Sequence, residues 1–512
     1  MAKKEKQHKT GKSPDKSIDS LLKYPSHNIK FSAGPKTEKT DIVIQFIATE
    51  KKEEDKKSDK TAPILKSFPY FNAGAGETVK SENTWYVGVG SVDDLTVDVL
   101  GLALLGIAKD AAKSFAAVGV EFDEKIPKTI AADKLARLAI TAFGMAAYPV
   151  DFLKSKPESE NIKLTSVHFQ VPAASMADWE DIQKTYSRLI NHINGMRQVQ
   201  SLPANYLTPE TMEKRAKAMA TKFGLKIKVF NRSQLEKMSA NGIVSVGKGS
   251  PIEPRMIVLE YSPSKSNRKA KTLALVGKGV TFDTGGISIK PSSDMHEMKY
   301  DMSGAAASIH AIAAIAEMKL NINVIAAIGL AENMPDGEAI KPGDVYTAYN
   351  GKTIEVQNTD AEGRLILGDV LSYVDKNYKP DFMIDLATLT GACMVALGSY
   401  YAGLFSDHAD LRNMLTEISA KSLEPVWHLP MGPLYKSGLK SDIADYNNIG
   451  ERWGGASSAA SFLSIFVDKK TPWAHLDIAG IADIKKGFNV YPAVATGFGV
   501  RLLSELAIEL SK

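Results

Sequence analysis

Short, continuous apolar runs separated by helical segments constrain the fold of this chain more than any other feature. A strand that is apolar on both faces must be covered on both faces, which is typical of parallel sheets flanked by helices. The second half of the sequence contains five such runs: Lys226–Asn231, Arg255–Tyr261, Thr272–Gly277, Asn323–Leu330 and Asp381–Ala387. Helical periodicity lies between them, notably in Ser303–Met318 and Arg364–Asp375. We therefore expect a mixed, largely parallel sheet covered by helices.

The first part of the chain also alternates strands with helices, which predicts a separate α/β domain. Strands are predicted at Asp41–Ala48, Trp85–Ser91 and Asn161–Val171, and helices at Asp93–Ala117 and Ala131–Ala147. The charged block Glu50–Lys60 is interpreted as a solvated loop.

Changes in composition along the 512 residues predict four regions. Residues 1–35 are expected to be a disordered basic tail, with a weak anion-binding arm as the alternative. Residues 36–175 form the first α/β domain, and residues 176–203 form a connecting helix that the prolines of Ser201–Glu210 terminate. Residues 204–512 form the second domain.

Charge and cysteine content exclude several classes of protein. Lys and Arg total 63 and Asp and Glu total 59, a net charge of +4. Residues 1–30 contain eight Lys and three acidic residues, a charge of +5, so the remainder carries −1. A nucleic-acid surface across the folded body is therefore not expected. The single cysteine, Cys393, cannot form an intramolecular disulfide, which fits a reducing compartment. No apolar run reaches the ~18 residues of a membrane span.

Ionisable residues concentrate in three segments, Val276–Pro291, Met298–Ala307 and Asn358–Leu365. In α/β folds, ligands bind beyond the carboxyl ends of strands. If the four acids of these segments converge, their charge of −4 balances two divalent cations, and oxygen ligands suit Mg²⁺, Mn²⁺ or Zn²⁺. Lys290 and Arg364 are cations able to hold an anion or polarise a carbonyl. Taken from the residues alone, solvated surface carboxylates and helix caps remain the alternative. The acids are Asp283, Asp301, Asp360 and Glu362.

The segment NTDAEGRL at Asn358–Leu365 resembles the signature of the M17 leucyl aminopeptidase family. Val276–Pro291 and Met298–Ala307 match the same family in order and spacing, and the resemblance extends from about Ala204 to the C-terminus. The N-terminal region resembles the family only in its general, macro-like α/β character. Further matching segments are ENMPDGEA (Glu332–Ala339), ATLTGA (Ala387–Ala392), NNIG (Asn447–Gly450) and WAHLDIAG (Trp473–Gly480).

The resemblance implies a site with two divalent metal ions, Zn²⁺ or Mn²⁺, with Mg²⁺ or Co²⁺ as further candidates. It implies Lys290 as the electrophile on the scissile carbonyl and Arg364 as the residue that holds a bicarbonate ion. The implied metal ligands are Lys278 as a neutral amine, Asp283, Asp301, Asp360 and Glu362. The implied substrate-binding residues are Met298, Asp301, Thr388, Leu389, Gly391, Ala479 and Ala482.

The resemblance also implies the reaction, which is the release of N-terminal amino acids, with Leu and other apolar residues preferred, from peptides with a free N-terminus by metal-activated water. It implies a cytoplasmic homohexamer without a membrane partner. A catalytically inactive relative and an added nucleic-acid-binding role are the alternatives, and nucleic acid is not favoured. Ala482 replaces a residue that is often Met in the family, at a position expected to line the pocket for the first side chain. The substrate preference is therefore open.

Overall fold

The computed structural model describes residues 29–36, 38–50, 64, 67, 68, 70–263 and 270–512. Within them the chain forms two large sheets with helices packed on their faces, and the predicted α/β fold class is confirmed.

The first sheet has six strands in the order β1-β6-β5-β2-β4-β3, all parallel to their neighbours except the edge strand β3. Its strands are β1 (Lys30–Gly34), β2 (Ile42–Thr49), β3 (Thr78–Lys80), β4 (Thr84–Ser91), β5 (Ala117–Phe122) and β6 (Ser166–Gln170). The helices of this part are α1 (Val97–Ser114), α2 (Ile126–Thr129), α3 (Ala132–Ala146) and α4 (Met176–Gln200).

The predicted tail of residues 1–35 extends too far into the chain. Lys30–Gly34 form the edge strand β1, paired in parallel with β6. Phe31 is buried and stacks on Phe169 at 6.3 Å between ring centroids. Two apolar residues in so short a segment give no visible periodicity, so the sequence does not reveal this strand. Residues 1–28 lie outside the described residues, as does the predicted loop beyond Glu50.

The second sheet has eight strands in the order β15-β14-β17-β13-β9-β10-β8-β7. The four central strands β17, β13, β9 and β10 are parallel, while β8, β7 and β14 introduce antiparallel pairings. The strands are β7 (Lys226–Phe230), β8 (Arg255–Tyr261), β9 (Thr272–Asp283), β10 (Asn323–Asn333), β13 (Phe382–Ala387), β14 (Ala402–Phe405), β15 (Val426–His428) and β17 (Trp473–Asp477).

Smaller strands and ten helices complete the second half of the described chain. The strands are β11 (Val345–Thr347), β12 (Thr353–Glu355), β16 (Tyr446–Asn447), β18 (Asp483–Ile484) and β19 (Val494–Ala495). The helices are α5 (Pro209–Phe223), α6 (Arg232–Lys237), α7 (Asn241–Gly247), α8 (Ser303–Met318), α9 (Gly363–Tyr378), α10 (Gly391–Leu397), α11 (Ala409–Ser422), α12 (Pro433–Ser437), α13 (Gly455–Leu463) and α14 (Val500–Leu510). No helix of the described residues combines the length and apolar character needed to cross a membrane.

The long helix α4 joins the two halves through buried polar contacts as well as apolar packing. It packs against α3 on one side and against α8 on the other. At its last residue, the Gln200 side-chain amide donates to Ser303 Oγ at 2.9 Å and to the Ala482 carbonyl at 3.2 Å. The end of α4 is therefore fixed to the start of α8.

The central strands of the second sheet end at one edge, as parallel strands must. Strand β9 ends at Asp283, β10 at Asn333, β13 at Ala387 and β17 at Asp477. Beyond Gly277, β9 continues along β10 after its neighbour β13 has ended. Polar side chains from three sequence-distant strands therefore meet at this edge.

Gly304, in the first turn of α8, provides a test of how closely this helix must approach the sheet. A Cβ at residue 304 would lie 1.9 Å from the Leu386 carbonyl oxygen, which is backbone and cannot rotate away. Overpacking of this kind typically costs ~1–3 kcal/mol, so Gly304→Ala should lower the free energy of unfolding by at least that amount. Urea denaturation followed by circular dichroism measures the change.

The matched control is Gly337→Ala, because a Cβ at residue 337 has no neighbour within 4 Å. This variant should retain wild-type stability. Equal stability of the two variants would contradict the close packing of α8 on β13.

Candidate metal centre

Four carboxylates and two lysines converge at the carboxyl edge of the second sheet. One oxygen each from Asp283, Asp301 and Glu362 lie within 4.8 Å of one another, and all three residues are buried. Asp360 and Lys290 line the same cavity. This separation is short enough for the oxygens to share a cation.

Different elements place these side chains. Asp283 is the last residue of β9, and Asp301 lies in the turn before α8. Glu362 immediately precedes α9 at its N-cap position, without a side-chain capping hydrogen bond, and Asp360 lies in the loop just before it. The predicted strand Thr272–Gly277 ends before Lys278. In the structure β9 extends six residues further, to Asp283, so Lys278 lies within the strand.

The Lys278 ammonium lies at the centre of the carboxylates. Its Nζ donates to Asp301 Oδ1 at 2.8 Å and to the Thr388 carbonyl at 2.9 Å, and it lies 2.9 Å from Glu362 Oε1. Burial lowers the pKa of Lys278, but the attraction of Asp301, Glu362 and Asp283 outweighs burial and the net shift is upward.

Lys290 occupies the other side of the cluster. Its Nζ lies 2.9 Å from Asp283 Oδ2 and forms a second ion pair with Asp360. Burial opposes the charge of Lys290, and the carboxylates of Asp283, Glu362 and Asp360 raise its pKa despite that burial. The ammonium therefore remains protonated at neutral pH.

Burial and crowded negative charge raise the pKa values of three of the four carboxylates. Burial raises the pKa of Asp301 well above its usual value, with Asp283 and Glu362 adding to the rise and Lys278 opposing it. Burial and the Asp283 charge likewise raise the pKa of Glu362 and of Asp360. Two lysines cannot neutralise four carboxylates, and additional positive charge would stabilise the cluster.

Two buried oxygens indicate where that charge would bind. Asp301 Oδ2 and Glu362 Oε2 are inaccessible to solvent and receive no hydrogen bond from the described residues. Buried carboxylate oxygens without partners are costly, and a divalent cation would satisfy them. Together with the oxygen-rich donor set, this makes the cluster a fitting site for divalent metal ions.

The cluster forms part of the wall of a cavity of about 580 Å³. Every candidate residue from the sequence lines this cavity except Arg364 and Ala482. The candidates that line it are Lys278, Asp283, Lys290, Met298, Asp301, Asp360, Glu362, Thr388, Leu389, Gly391 and Ala479. The structure therefore brings together the three segments that the sequence singled out.

Arg364 lies in the first turn of α9 and does not line the cavity. Its Nη1 donates to the Asn448 carbonyl at 2.8 Å, whereas its buried Nε has no hydrogen-bond partner among the described residues. Burial lowers the pKa of Arg364 to about 10. The side chain therefore keeps its charge at neutral pH and has one donor available for an anion.

Ala482 does not line the cavity, contrary to the prediction. Its N–H donates to the Ile478 carbonyl at 2.9 Å, so a single helical turn directs the residue back towards the core, where it is fully buried. The wall instead passes from Ala479 to Asp483 and Ile484. Sequence spacing alone could not locate this turn.

Three buried polar residues, to which the sequence assigned no role, hold the site together. Asn333 Nδ2 donates to Asp283 Oδ1 at 2.8 Å and to the Thr359 carbonyl at 3.0 Å. Asn448 accepts from the backbone N–H of Gln357 at 2.9 Å and donates to the Asn358 carbonyl at 2.7 Å.

Asp477 fixes the loop that follows β13. It accepts from the Leu389 N–H at 3.1 Å and from Thr390 Oγ1 at 2.6 Å. Asn333, Asn448 and Asp477 all lie in segments that carried the family resemblance. Those matching segments were the one feature of the sequence that could have identified them as site residues.

Comparison with known proteins establishes the family. The sequence model described as "Cytosol aminopeptidase family, catalytic domain" matches residues 194–504, more than half of the chain. This chain belongs to the cytosol aminopeptidase family. The match begins inside α4, before the predicted boundary at residue 204. Membership confirms the recognised resemblance and implies a metal-dependent aminopeptidase, a hydrolase that acts on peptides.

Individual relatives in the cytosol aminopeptidase family support the same assignment. A probable cytosol aminopeptidase of Rhodopseudomonas palustris (strain BisA53) is 40% identical over 84% of this chain and 85% of its own length. A probable cytosol aminopeptidase of Chlorobaculum tepidum is 44% identical over 73% of this chain and 75% of its own length. Among solved structures, the bottromycin maturation enzyme BotP in complex with Mn has a TM-score of 0.80 and 30% identity, covering 93% of this chain and 100% of its own.

Glu362→Gln tests whether the carboxylate cluster holds metal. The substitution keeps the shape of the side chain and removes one negative charge, so we expect lower metal content and loss of activity, and Asp360→Asn should behave similarly. Metal content after gel filtration is measured by inductively coupled plasma mass spectrometry, and activity by hydrolysis of leucine amide.

Glu338→Gln is the matched control, because Glu338 is exposed in a turn and does not line the cavity. It should keep both metal and activity. Full metal content with near-wild-type turnover in Glu362→Gln would refute the assignment of this ligand.

Proposed function

We propose that this protein is a dinuclear metalloaminopeptidase that releases the N-terminal residue of peptides, with Leu and other apolar first residues among its substrates. The observation that carries the proposal is the pair of unpartnered buried oxygens, Asp301 Oδ2 and Glu362 Oε2, in the wall of a peptide-sized cavity. Family membership supports the reaction class.

Five side chains would hold the cations, Zn²⁺ or Mn²⁺ foremost: Lys278, Asp283, Asp301, Asp360 and Glu362. A bound pair of divalent ions supplies Lewis-acid chemistry and a water of lowered pKa. The related enzyme BotP was solved in complex with Mn, which supports manganese as one candidate. Lys278 serves as a ligand only as a neutral amine, so loading the site must release its proton.

Lys290 is proposed as the electrophile. Its ammonium reaches the cavity, remains protonated beside Asp283 and Asp360, and can donate a hydrogen bond to the carbonyl oxygen of the scissile bond. A donor that is fixed before reaction stabilises the negative charge that develops on this oxygen. Asp301 is proposed to orient the free α-amine of the substrate, which restricts cleavage to the first residue.

Arg364 is proposed to hold a bicarbonate ion that acts as general base. Its unpartnered Nε supports an anion at this position. Because Arg364 does not line the cavity, the anion would have to reach from the cavity to the start of α9. All seven proposed ligand and catalytic residues are present, which favours an active enzyme over an inactive relative.

Several broader properties are also proposed. Residues 204–512 are the catalytic domain, residues 30–175, which include strand β1, are a separate α/β domain, and the helix between them is the connector. The names of the relatives support a cytoplasmic location. The sequence resemblance supports a homohexamer. Light scattering would then give a mass six times that of the chain.

A panel of amino-acid amides tests the reaction. The protein is stripped of metal with a chelator and assayed with and without added Zn²⁺, Mn²⁺, Co²⁺ or Mg²⁺. We expect hydrolysis of leucine amide only after a divalent ion is restored, and no hydrolysis of N-acetylated leucine amide, because acetylation removes the free amine. Metal-independent hydrolysis, or equal cleavage of the acetylated substrate, would contradict the proposal.

Lys290→Ala and Arg364→Ala separate catalysis from metal binding. Neither residue is proposed as a ligand, so both variants should retain metal. Loss of a transition-state donor typically costs ~10²–10³ in turnover, which we expect for Lys290→Ala. Arg364→Ala should lose less, and added bicarbonate should no longer stimulate it. Loss of metal from either variant would show that its assigned role is wrong.

A further inference from the structure

The active-site cavity contains a second set of charged side chains that the proposed reaction does not use. They lie on the loop and short helix before Asp301 and on the segment that follows Ala482. The residues are Asp294, Glu297, Asp483, Lys485 and Lys486. These side chains lie in a cavity that must also receive the first side chain of a substrate.

Most of these charges have a counterion within the set. Lys485 Nζ lies 3.5 Å from Asp294 Oδ1 and 3.7 Å from Glu297 Oε1, and the lysine side chain is 75% exposed. Asp483 is different, because no described residue forms a hydrogen bond or an ion pair with its carboxylate. The backbone of Asp483 is fixed, since β18 pairs with β19 through Asp483 and Ala495.

Burial sets the energetic cost of this arrangement. It raises the pKa of Asp483 to about 6, Glu297 adds to the rise, and Lys299 and Lys485 oppose it. At neutral pH the group is therefore a half-buried carboxylate with no direct partner. Such a group is stabilised by a cation that approaches it from the cavity.

Apolar side chains line the cavity that holds Asp483 as well as the charged ones. Met298, Ala479 and Ile484 line the same cavity. A long basic side chain has matching chemistry, because its methylene stem packs on apolar surface while its charged end reaches a polar group. An aliphatic first residue would fill the apolar part and leave the carboxylate unpaired.

We propose that Asp483 is a specificity-determining residue that admits peptides with Lys or Arg as the first residue. The methylene stem of that residue packs against the apolar wall, and its charged end pairs with the Asp483 carboxylate. This inference rests on the proposed aminopeptidase function and extends its substrates beyond apolar first residues.

Lysine amide and norleucine amide provide the sharpest test, because they share the same stem and differ at its end by the ammonium group. We measure kcat/KM for both substrates with the wild-type enzyme and with Asp483→Asn, which preserves shape and removes the charge. A charge-assisted hydrogen bond implies that the lysine-to-norleucine ratio falls about tenfold or more in the variant. Hydrolysis of norleucine amide should change little.

Asp294→Asn is the matched control, since Asp294 is exposed and lies near the Lys485 ammonium. It removes the same charge from the same cavity and should leave the ratio within about twofold of wild type, because surface ion pairs contribute little. An unchanged ratio in Asp483→Asn, or an equal fall in both variants, would overturn the role of Asp483.

The failure of this inference is distinguishable from failure of the proposed function. If norleucine amide is hydrolysed but the ratio does not depend on residue 483, the enzyme is an aminopeptidase and only this inference is wrong. If neither amide is hydrolysed by the metal-loaded wild-type protein, the function itself is wrong.

The pH dependence supplies a second readout. The charged or titratable groups that act on Asp483 are Glu297, Lys299 and Lys485, with Tyr300 close enough for Asp483 to raise its pKa. The lysine-to-norleucine ratio should rise as the pH increases through about 6, where Asp483 gains its charge. In Asp483→Asn the ratio should be flat over the same range, and a rise that persists there would contradict the proposal.

Discussion

The site depends on holding several negative charges close together at the end of a buried sheet. Asp283, Asp301 and Glu362 approach within 4.8 Å in a region largely closed to solvent, where burial and the Asp283 charge raise the pKa of Asp301 and of Glu362. Lys278 and Lys290 offset part of this cost, and divalent cations would offset the rest. A cluster of this kind is unfavourable for the apo chain, which is the expected signature of a site whose stability is linked to metal loading.

Such a cluster persists only if the surrounding backbone is fixed, and buried polar side chains fix it here. Asn333 ties the end of β9 to the loop before α9, and Asn448 holds that same loop from the other side. Asp477 holds the loop after β13, whose Thr388 carbonyl accepts from Lys278. Apart from the bond between Asn333 and Asp283, which joins two side chains, each of these bonds satisfies a backbone N–H or carbonyl group. The network therefore offsets the desolvation cost of the loops while it positions the charged groups.

The sequence predicted the regular parts of the fold well, because burial on both faces leaves a clear apolar pattern. Strand Arg255–Tyr261 and helix Ser303–Met318 lie where the pattern placed them. Strand Lys30–Gly34 was missed, since a short edge strand in a basic segment shows no periodicity. Strand β9 was cut short at Gly277, because glycine and lysine are depleted in strands. The candidate residues converge largely as expected. Ala482 does not join them at the cavity, because a single backbone turn decides which way its side chain points. The sequence analysis did not identify its neighbour Asp483 as a cavity residue.

The position of Lys278 shows why so unusual a residue fits in a sheet interior. A Cβ at residue 363 would lie 2.4 Å from Lys278 Cε, and one at residue 304 would lie 3.0 Å from the Lys278 backbone nitrogen. The lysine thus lies between α8 and α9 at places where both helices carry glycine. A larger residue at either place would push a helix away from the sheet. Because Glu362 immediately precedes Gly363 and Asp301 lies three residues before Gly304, such a shift would also move two carboxylates. Close packing of the two helices on the sheet therefore also sets the positions of the carboxylates in the cluster. The absence of a side chain at the two glycines is as necessary for the site as the charged groups themselves.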